Sequence, residues 1–198
     1  MSIYRLCPSP NIGGETCFEV WDEGFTHDEC DRIIEIGDSF NPEDAVVGNT
    51  AAPGVNDAIR ISQTSWIPLN DDTEWIYNRL GKILRTMNGM YWRYDINGFH
   101  EHLQYTVYDG SGTHYDWHVD NNMLTDLPPR KLSMSVQLSN PDDYDGGGLE
   151  ISDGQIVEAT DARGSVIVFP SYRVHRVTPV TEGVRRSLVV WANGPAFR

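Results

Sequence analysis

Apolar residues near the start of the chain recur at helical spacing. In the first such stretch Ile33, Ile34 and Ile36 form one apolar face, and the pair Asn41–Pro42 follows. A proline cannot continue a helix, so this pair marks its end. Thr26 and Glu29 have capping-box spacing, in which each side chain bonds to the other residue's backbone N–H. The pattern predicts a helix that starts near Thr26 and serves as scaffold.

A second helical pattern extends from about Asp72 to Asn88. Either Asp71 or Asp72 can cap its start, and the pair Asn88–Gly89 is a typical helix end. Such an apolar stripe normally packs on a sheet. The residues at helical spacing are Trp75, Ile76, Leu80, Ile83, Leu84 and Met87.

Between the two helices we predict short strands at Ala45–Val47 and Ile59–Trp66. The intervening residues Gly48–Asp57 are mostly small, which is typical of a loop. Two interpretations stay open for this loop: an ordinary surface loop, or a lid over a substrate groove.

The remaining half of the chain changes to short strands separated by turns, with no intervening helix. Many short strands in succession indicate a jelly-roll or sandwich. We therefore predict a mainly β (α+β) protein in which two N-terminal helices brace one sheet. The predicted strands are Tyr91–Asp95, Glu101–Tyr108, Tyr115–His118, Leu132–Leu138, Leu149–Ser152, Ile156–Ala159, Ser165–Phe169, His175–Val177 and Ser187–Trp191.

Length and composition fit one globular domain. At 198 residues, with 39% hydrophobic and 22% charged residues, the chain can form its own core. We expect a single domain over residues 1–198, with helical support and substrate-side strands in about 1–90 and a jelly-roll core in about 91–198. The net charge of −14 disfavours nucleic acid or an anionic membrane as a partner.

Cysteine usage and the N-terminal residues suggest a cytoplasmic protein. Three cysteines without metal-site spacing fit a reducing compartment, with a Cys7–Cys17 disulfide as the alternative. Residues Met1–Pro8 contain no long apolar run, so we expect no signal peptide. The sequence leaves the oligomeric state open.

Candidate metal ligands lie on two of the predicted strands. His118 and Asp120 are two residues apart, so they point to the same side of a strand. His175 follows the apolar run Val166–Phe169 and lies on a strand that can face the first. Two imidazoles and one carboxylate suit Fe(II) and leave coordination positions open.

Arg185 adds a second chemical signal ten residues after His175. A guanidinium deep inside a barrel needs an anion, and a carboxylate bound through two oxygens is its best partner. Tyr108 and Gln137, on neighbouring strands, can complete such a pocket. Arg186 is the rival for this role, but strand alternation places the two arginines on opposite faces.

Other polar clusters have plainer interpretations. The pair His100 and His102 is a rival metal site that nothing downstream completes, so an exposed strand start is preferred. His114 is interpreted as a solvated loop histidine. Residues Asp142–Gly146 suggest a calcium loop but lack the closing glutamate, so a solvated turn is favoured.

These motifs together resemble the prolyl 4-hydroxylase-like branch of the Fe(II)/2-oxoglutarate-dependent dioxygenases. The resemblance begins at Tyr108 and continues through Tyr115, His118, Asp120 and Asn121. It is close in the C-terminal half and loose before it. The later matching segments are Arg130–Leu138, Gly147–Glu150, Phe169–Pro170 and His175–Trp191.

The resemblance implies a double-stranded β-helix and a set of roles. Iron would be held by His118, Asp120 and His175, while Arg185 would bind the distal carboxylate of 2-oxoglutarate. The remaining implied contacts are Tyr108, Gln137 and Trp191 around the co-substrate, and Arg130, Tyr115 and Arg60 towards the substrate.

The implied activity is hydroxylation of a prolyl or other residue in a peptide or protein. O2 and 2-oxoglutarate are consumed, succinate and CO2 are released, and ascorbate is the expected reductant. Hydroxylation of a free amino acid or small molecule is the alternative within enzymes, and demethylation of nucleic acid is disfavoured by the charge. The alternative from another class is a metal-binding jelly-roll without turnover.

Overall fold

The computed structural model describes residues 16–45, 59–121 and 127–196. Its two α-helices are α1 (His27–Ser39) and α2 (Glu74–Met87), and a π-helical turn, Asn88–Trp92, continues α2. A short 3-10 turn covers Pro141–Asp143. The strands are β1 (Glu19–Trp21), β2 (Glu43–Asp44), β3 (Arg60–Ile61), β4 (Gln63–Ile67), β5 (Gly98–Phe99), β6 (Leu103–Asp109), β7 (Thr113–His118), β8 (Arg130–Gln137), β9 (Tyr144–Gly146), β10 (Leu149–Ser152), β11 (Ile156–Glu158), β12 (Val166–Pro170) and β13 (Val174–Asn193).

The strands form two antiparallel layers joined through β13. The larger layer has the order β1-β12-β8-β13-β6-β4-β2, with β5 paired to the end of β13. The smaller layer contains β11, β10, β13, β7 and β3, and β9 also pairs with β13. This architecture confirms the predicted mainly β fold.

β13 is a single strand of 20 residues, so the prediction of two strands separated by a turn was wrong. Its first half pairs with β7, β9 and β10, whereas its second half pairs with β6 and β8. Register shifts and a left-handed Gly183, with φ 72°, let the strand bend between layers. The polar residues Thr178–Gly183 therefore form a bulged strand segment instead of a turn.

The predicted strand Ile59–Trp66 is divided at Ser62. Residues before the break form β3, which pairs with β7 in the smaller layer. Residues after it form β4, which pairs with β6 in the larger layer. The chain thus crosses from one layer to the other at this point, and Arg60 lies between them, only 6% exposed.

Both predicted helices are present and pack on the larger layer. The Thr26 hydroxyl accepts from the Glu29 N–H, and the Glu29 carboxylate accepts from the Thr26 N–H, which confirms the capping box. Buried residues from both helices share one core with the larger layer, including Ile33, Ile76, Leu80, Leu103 and Tyr105. The helices therefore brace this layer as predicted.

The predicted cap of α2 was wrong. Thr73 occupies the N-cap position but makes no side-chain cap bond. Its hydroxyl donates instead to the Pro68 carbonyl at 2.5 Å. The Asn70 side chain accepts from the backbone N–H groups of Asp72 and Thr73. An Asx-type turn therefore precedes the helix.

The predicted strand Tyr91–Asp95 was also wrong, because the helix continues as a π turn up to Trp92. Arg93 then adopts a left-handed conformation with φ 56°. The Asn88 amide donates to the Tyr94 carbonyl and accepts from the Tyr94 N–H. These two bonds fix the reversal that ends the helical segment.

Several predictions concern residues outside the described ranges. The loop Gly48–Asp57, most of the predicted strand Ala45–Val47, and Cys7 belong to this group, and β2 lies just before that strand. Cys17 and Cys30 are free thiols. Among the described residues, no helix is long and apolar enough to cross a membrane.

Replacing the capping hydroxyl tests the assignment of the α1 start. Thr26→Ala is expected to lower the free energy of unfolding by about 1 kcal/mol, since a helix-start N–H loses its partner. Thr86→Ala in α2 is the matched control. Its hydroxyl only bonds back to Lys82 within the helix, so its loss is nearly neutral. Urea titrations measure both changes, and equal destabilisation would contradict the capping role.

Candidate active site

A narrow cleft with a volume of about 50 Å³ lies between the two layers. Apolar side chains form much of its wall, including Leu149, Phe169 and Val177. It contains charged or metal-ligating side chains from both layers: Arg60, His118, Asp120, His175 and Arg185. The cleft thus brings together side chains from three separate segments of the sequence, around residues 60, 118–120 and 175–185.

His118 and His175 are direct register partners in the pairing of β7 with β13. Their ring centroids are 4.1 Å apart. Asp120 follows the end of β7, and its two carboxylate oxygens lie 3.6 Å from His118 Nε2 and 3.5 Å from His175 Nε2. One ligand atom from each residue falls within 4.8 Å of the others. This geometry suits a single divalent metal ion.

The hydrogen bonds of both imidazoles involve Nδ1 and leave Nε2 available to bind a metal ion. Each Nδ1 contacts a backbone carbonyl, Asp116 at 2.7 Å for His118 and Arg173 at 2.9 Å for His175. A carbonyl only accepts, so Nδ1 is the protonated nitrogen, and in the neutral ring Nε2 is then the atom with the lone pair. Both Nε2 atoms face Asp120. The donor set therefore fits Fe(II), with two neutral imidazoles and one carboxylate.

Electrostatics favour the ligating protonation states. Burial and the neighbouring His175 lower the pKa of His118 to about 3, despite the opposite effect of Asp120. Burial opposes ionisation of Asp120, but His175, His118 and Arg130 outweigh it and lower its pKa to about 2. At neutral pH the site therefore presents a neutral imidazole and an ionised carboxylate.

Asp120 is held by two buried serines. The Ser133 hydroxyl donates to the Asp120 carboxylate at 2.7 Å and lies 3.0 Å from the Ser171 hydroxyl. The Asp120 backbone N–H donates to the Ser171 carbonyl at 2.9 Å. Both serines are completely buried. These bonds orient the carboxylate before any metal binds.

Arg185 lies further into the cleft and is only 2% exposed. One guanidinium nitrogen donates to the Gln137 side-chain oxygen at 2.9 Å. The other terminal nitrogen is buried without a hydrogen-bond partner among the described residues. The guanidinium carbon lies 5.5 Å from the Tyr108 ring centroid. This buried, incompletely bonded cation is suited to bind an anion.

Gly147 is required beside Arg185. A Cβ at this glycine would lie 2.7 Å from Arg185 Cδ, and its φ of 67° is left-handed. Any larger residue would push against the Arg185 side chain and strain the backbone. Close packing against Arg185 therefore explains why a glycine occupies this position of the segment Gly147–Glu150.

Arg60 and Tyr115 form the outer side of the cleft. The Tyr115 ring stacks on His118, with centroids 3.5 Å apart and planes 12° apart. The Arg60 guanidinium lies 4.6 Å from the Tyr115 ring centroid. Burial raises the pKa of Tyr115 to about 12, so its phenol is neutral at physiological pH. Tyr115 thus separates Arg60 from the candidate metal ligands.

Arg130 and Trp191 lie next to Asp120. The Arg130 guanidinium is 3.6 Å from the Trp191 ring centroid and forms an ion pair with Glu101. It also donates to the Asp120 backbone carbonyl at 3.3 Å. Trp191 lines the cleft. Arg130 is therefore already neutralised by a carboxylate of the chain.

The prediction that His114 is a solvated loop residue was wrong, because His114 is half-buried in β7, where it pairs with Ile61 of β3. His114 and the pair His100 and His102 are not part of the one group of three metal-ligating residues found in the described ranges. Arg186 lies 4.0 Å from Asp38 of α1, on the face opposite Arg185. Residues of the predicted turn Asp142–Gly146 instead form a 3-10 turn and β9, and Tyr144 packs near Arg185.

The sequence interpretation missed several residues around the site. Gln104 and Thr106 line the cleft with Tyr108 at alternate positions of β6, and polar residues at alternate positions of an otherwise apolar strand are a signal for this. Ser133, Ser171 and Glu101 carry no comparable signal, since single serines and glutamates are common. Their roles depend on contacts between distant strands.

Residues 103–193 match the sequence profile described as the 2OG-Fe(II) oxygenase superfamily. A PKHD-type hydroxylase of Nitrosomonas eutropha is 46% identical over 86 residues, covering 39% of this chain and 37% of the relative. One of Hyphomonas neptunium is 41% identical over 86 residues, covering 41% and 38%. The matched stretch thus spans well under half of these relatives.

Solved structures share the fold at low sequence identity. A prolyl hydroxylase of Trichoplax adhaerens, in complex with a hypoxia inducible factor peptide fragment, superposes with a TM-score of 0.71 at 18% identity, covering 90% of this chain and 84% of that one. A prolyl-4-hydroxylase of Pseudomonas putida gives 0.67 at 20% identity, covering 93% and 96%. At these identities the likeness concerns the fold.

Removing one imidazole tests the metal site. His175→Ala is expected to abolish Co(II) binding measured by absorption titration, because only two ligands remain. His114→Ala is the control and should leave the Co(II) spectrum unchanged, since His114 bonds to the Gly112 carbonyl outside the triad. Retained Co(II) affinity in the His175 variant would show that the triad is not the metal site.

Removing the hydroxyl that orients Asp120 should weaken metal binding without abolishing it. Ser133→Ala is expected to weaken Co(II) binding by roughly 10- to 100-fold, as is usual when the partner of a ligating group is removed. Ser139→Ala is the control, because its hydroxyl bonds to the Val184 carbonyl away from the triad. Unchanged Co(II) affinity in Ser133→Ala would mean that Asp120 needs no such support.

Proposed function

We propose that this chain is an Fe(II)- and 2-oxoglutarate-dependent dioxygenase of the 2OG-Fe(II) oxygenase superfamily, whose sequence profile matches residues 103–193. Its reaction would hydroxylate a prolyl or other residue of a peptide or protein while 2-oxoglutarate becomes succinate and CO2. One observation carries the proposal. The two-histidine, one-carboxylate cluster and the incompletely bonded Arg185 guanidinium line the same cleft.

The metal role is assigned to His118, Asp120 and His175. Their three ligand atoms would hold one face of Fe(II) and leave the other side to the cleft. When bound, Fe(II) together with 2-oxoglutarate and O2 supplies the chemistry that oxidises an unactivated C–H bond. The protein contributes the fixed tautomers, the ionised carboxylate and the serine support described above. These groups set the site's geometry in advance.

Arg185 is assigned to the distal carboxylate of 2-oxoglutarate. Its free terminal nitrogen supplies a charge-assisted hydrogen bond, while Gln137 occupies the other terminal nitrogen. Gln137 would thus orient Arg185 and act on the co-substrate indirectly. Tyr108 lies beside the guanidinium and is assigned a hydrogen bond to the same ligand. Leu149, Phe169 and Val177 contribute an apolar wall to the same cleft.

A peptide or protein substrate is supported by the names of similar proteins. The Trichoplax adhaerens structure contains a peptide fragment, and the sequence relatives are named hydroxylases. Tyr115, Arg130 and Arg60 are assigned to the substrate side, and Trp191 to the co-substrate side. Ascorbate is the proposed reductant, and residues 1–198 are proposed to form a single cytoplasmic domain. A free amino acid or other small molecule is the second substrate class.

A non-catalytic metal-binding module is the alternative from another class. Such a module needs the three metal ligands but has no use for a buried cation beside them. Arg185 is 2% exposed and lacks a carboxylate partner among the described residues. A chain keeps such a cation at a cost in desolvation, which a bound anion offsets. Arg185 therefore favours turnover of a dicarboxylate co-substrate.

Succinate release tests the proposed function. Purified protein with Fe(II), 2-oxoglutarate, ascorbate and O2 is expected to form succinate, which is measured by mass spectrometry. Binding of 2-oxoglutarate should also produce an iron-dependent absorption band without O2. Absence of both the absorption band and succinate would contradict the dioxygenase assignment and favour the non-catalytic metal-binding module.

Arg185 should control the demand for co-substrate. Arg185→Gln is expected to raise the half-saturating 2-oxoglutarate concentration by roughly 10- to 100-fold, because a charge-assisted bond contributes about 1.5–3 kcal/mol. Arg186→Gln is the control on the opposite face of β13 and should leave this concentration unchanged. A stronger effect of Arg186→Gln would reverse the assignment.

A further inference from the structure

Arg60 is a buried cation without an anionic partner among the described residues. It is 6% exposed, and none of the ion pairs found in those ranges includes it. Its hydrogen bonds reach neutral groups, the Ser62 hydroxyl at 2.8 Å and the Gln104 side-chain oxygen at 3.3 Å. Burying a guanidinium in this way is costly unless an anion binds there.

Arg130, the second arginine on the proposed substrate side, differs from Arg60 in its partners. It forms an ion pair with Glu101 and lies against Trp191. Both arginines were candidates for substrate contact, but within the described ranges an acidic side chain pairs with Arg130 and none pairs with Arg60. Arg60 instead lines the cleft with its charge unpaired in the described residues. The difference indicates that Arg60 is reserved for a ligand.

That ligand is not the co-substrate. Gln104, which bonds to Arg60, and Tyr108, which lies beside Arg185, are four residues apart on β6 and line the same cleft. Four residues of a strand span roughly 13 Å, so the two guanidinium groups serve opposite ends of the cleft. 2-Oxoglutarate has two carboxylates, one for Arg185 and one for the metal. Neither carboxylate is left for Arg60.

The charge of the loaded cleft leads to the same conclusion. The formally charged side chains of its described lining are two arginines and one aspartate. After Fe(II) and dianionic 2-oxoglutarate bind, one positive charge remains in excess, and Arg60 is the side chain that bears it. A complementary ligand at this end of the cleft therefore carries one negative charge.

We propose that Arg60 binds a carboxylate of the substrate, so that this protein oxidises molecules that carry an anionic group close to the oxidised carbon. Only the Tyr115 ring separates Arg60 from His118. The target carbon therefore lies within a few bonds of the carboxylate. This inference rests on the proposed function and narrows its substrate class. The carboxylate is either a main-chain α-carboxylate or an acidic side chain within a peptide.

The first experiment asks whether the site binds a carboxylate at all. Protein with 15N-labelled arginine is loaded with Zn(II) and 2-oxoglutarate, and the Arg60 Nε–H signal is identified by its loss in Arg60→Lys. Acetate is expected to shift this signal in a saturable manner at a concentration at least tenfold below that of acetamide. An unmoved signal with acetate, or an equal response to acetamide, overturns the inference.

The second experiment separates the two sources of the carboxylate. N-acetyl amino acids and end-blocked pentapeptides with a central aspartate or glutamate are each compared with their amide counterparts. Succinate release and a 16-dalton mass gain of the probe are measured. At least tenfold preference for the acid form in one series identifies the source. Equal turnover of acids and amides overturns the inference.

Substitutions of Arg60 test whether this residue causes the preference for acid over amide substrates. Arg60→Met is expected to lose the acid-over-amide preference, and Arg60→Lys to retain part of it, while half-saturating 2-oxoglutarate stays unchanged in both. Arg176→Met is the matched control, since Arg176 pairs with Glu150 outside the cleft and should leave the preference intact. A preference that survives in Arg60→Met contradicts the assignment.

The design keeps this inference distinct from the proposed function. If no condition yields succinate and 2-oxoglutarate fails to bind, the dioxygenase assignment fails. The acetate titration on Zn(II)-loaded protein still tests Arg60 in that case. Conversely, if succinate forms equally well with acid and amide probes, the proposed carboxylate site at Arg60 is refuted and the dioxygenase assignment stands.

Discussion

The pairing of β7 with β13 determines where the chemistry lies. His118 and His175 are opposite each other in this pairing, so a single register places both imidazoles on one side of the smaller layer. A shift by one residue would turn His175 to the other face. The bulges later in β13 then allow Arg185 to enter the cleft from the larger layer. One strand thus supplies a metal-ligand candidate and the arginine that we propose binds the co-substrate.

The charge of the cleft differs in sign from the net charge of the whole chain. The chain carries a net charge of −14, yet the cleft contains two buried arginines and one aspartate among its described lining. Acidic residues elsewhere on the chain account for the overall sign. An anionic ligand is therefore compatible with this acidic protein, because the local field in a low-dielectric cleft outweighs distant, screened charges.

The limits of sequence interpretation are clearest at the segments that connect the layers. Thr178–Gly183 has the polar and proline-rich character of a turn, but its residues pair with β7 and β9 and remain extended. Residues Tyr91–Asp95 have the aromatic character of a strand, but Asn88 and Tyr94 hold them in a helical reversal. In both segments contacts with other residues outweighed local propensity.

The sequence by itself determined the two helices, the mainly β class and the residue types of the site, because each depends on spacing within one segment. The two-residue interval between His118 and Asp120 and the ten-residue interval from His175 to Arg185 belong to this category. Only the tertiary structure decided which of the two arginines is paired with an acid in the part of the chain that the structure describes. That distinction between Arg130 and Arg60 depends on Glu101, whose approach to Arg130 comes from packing between separate strands.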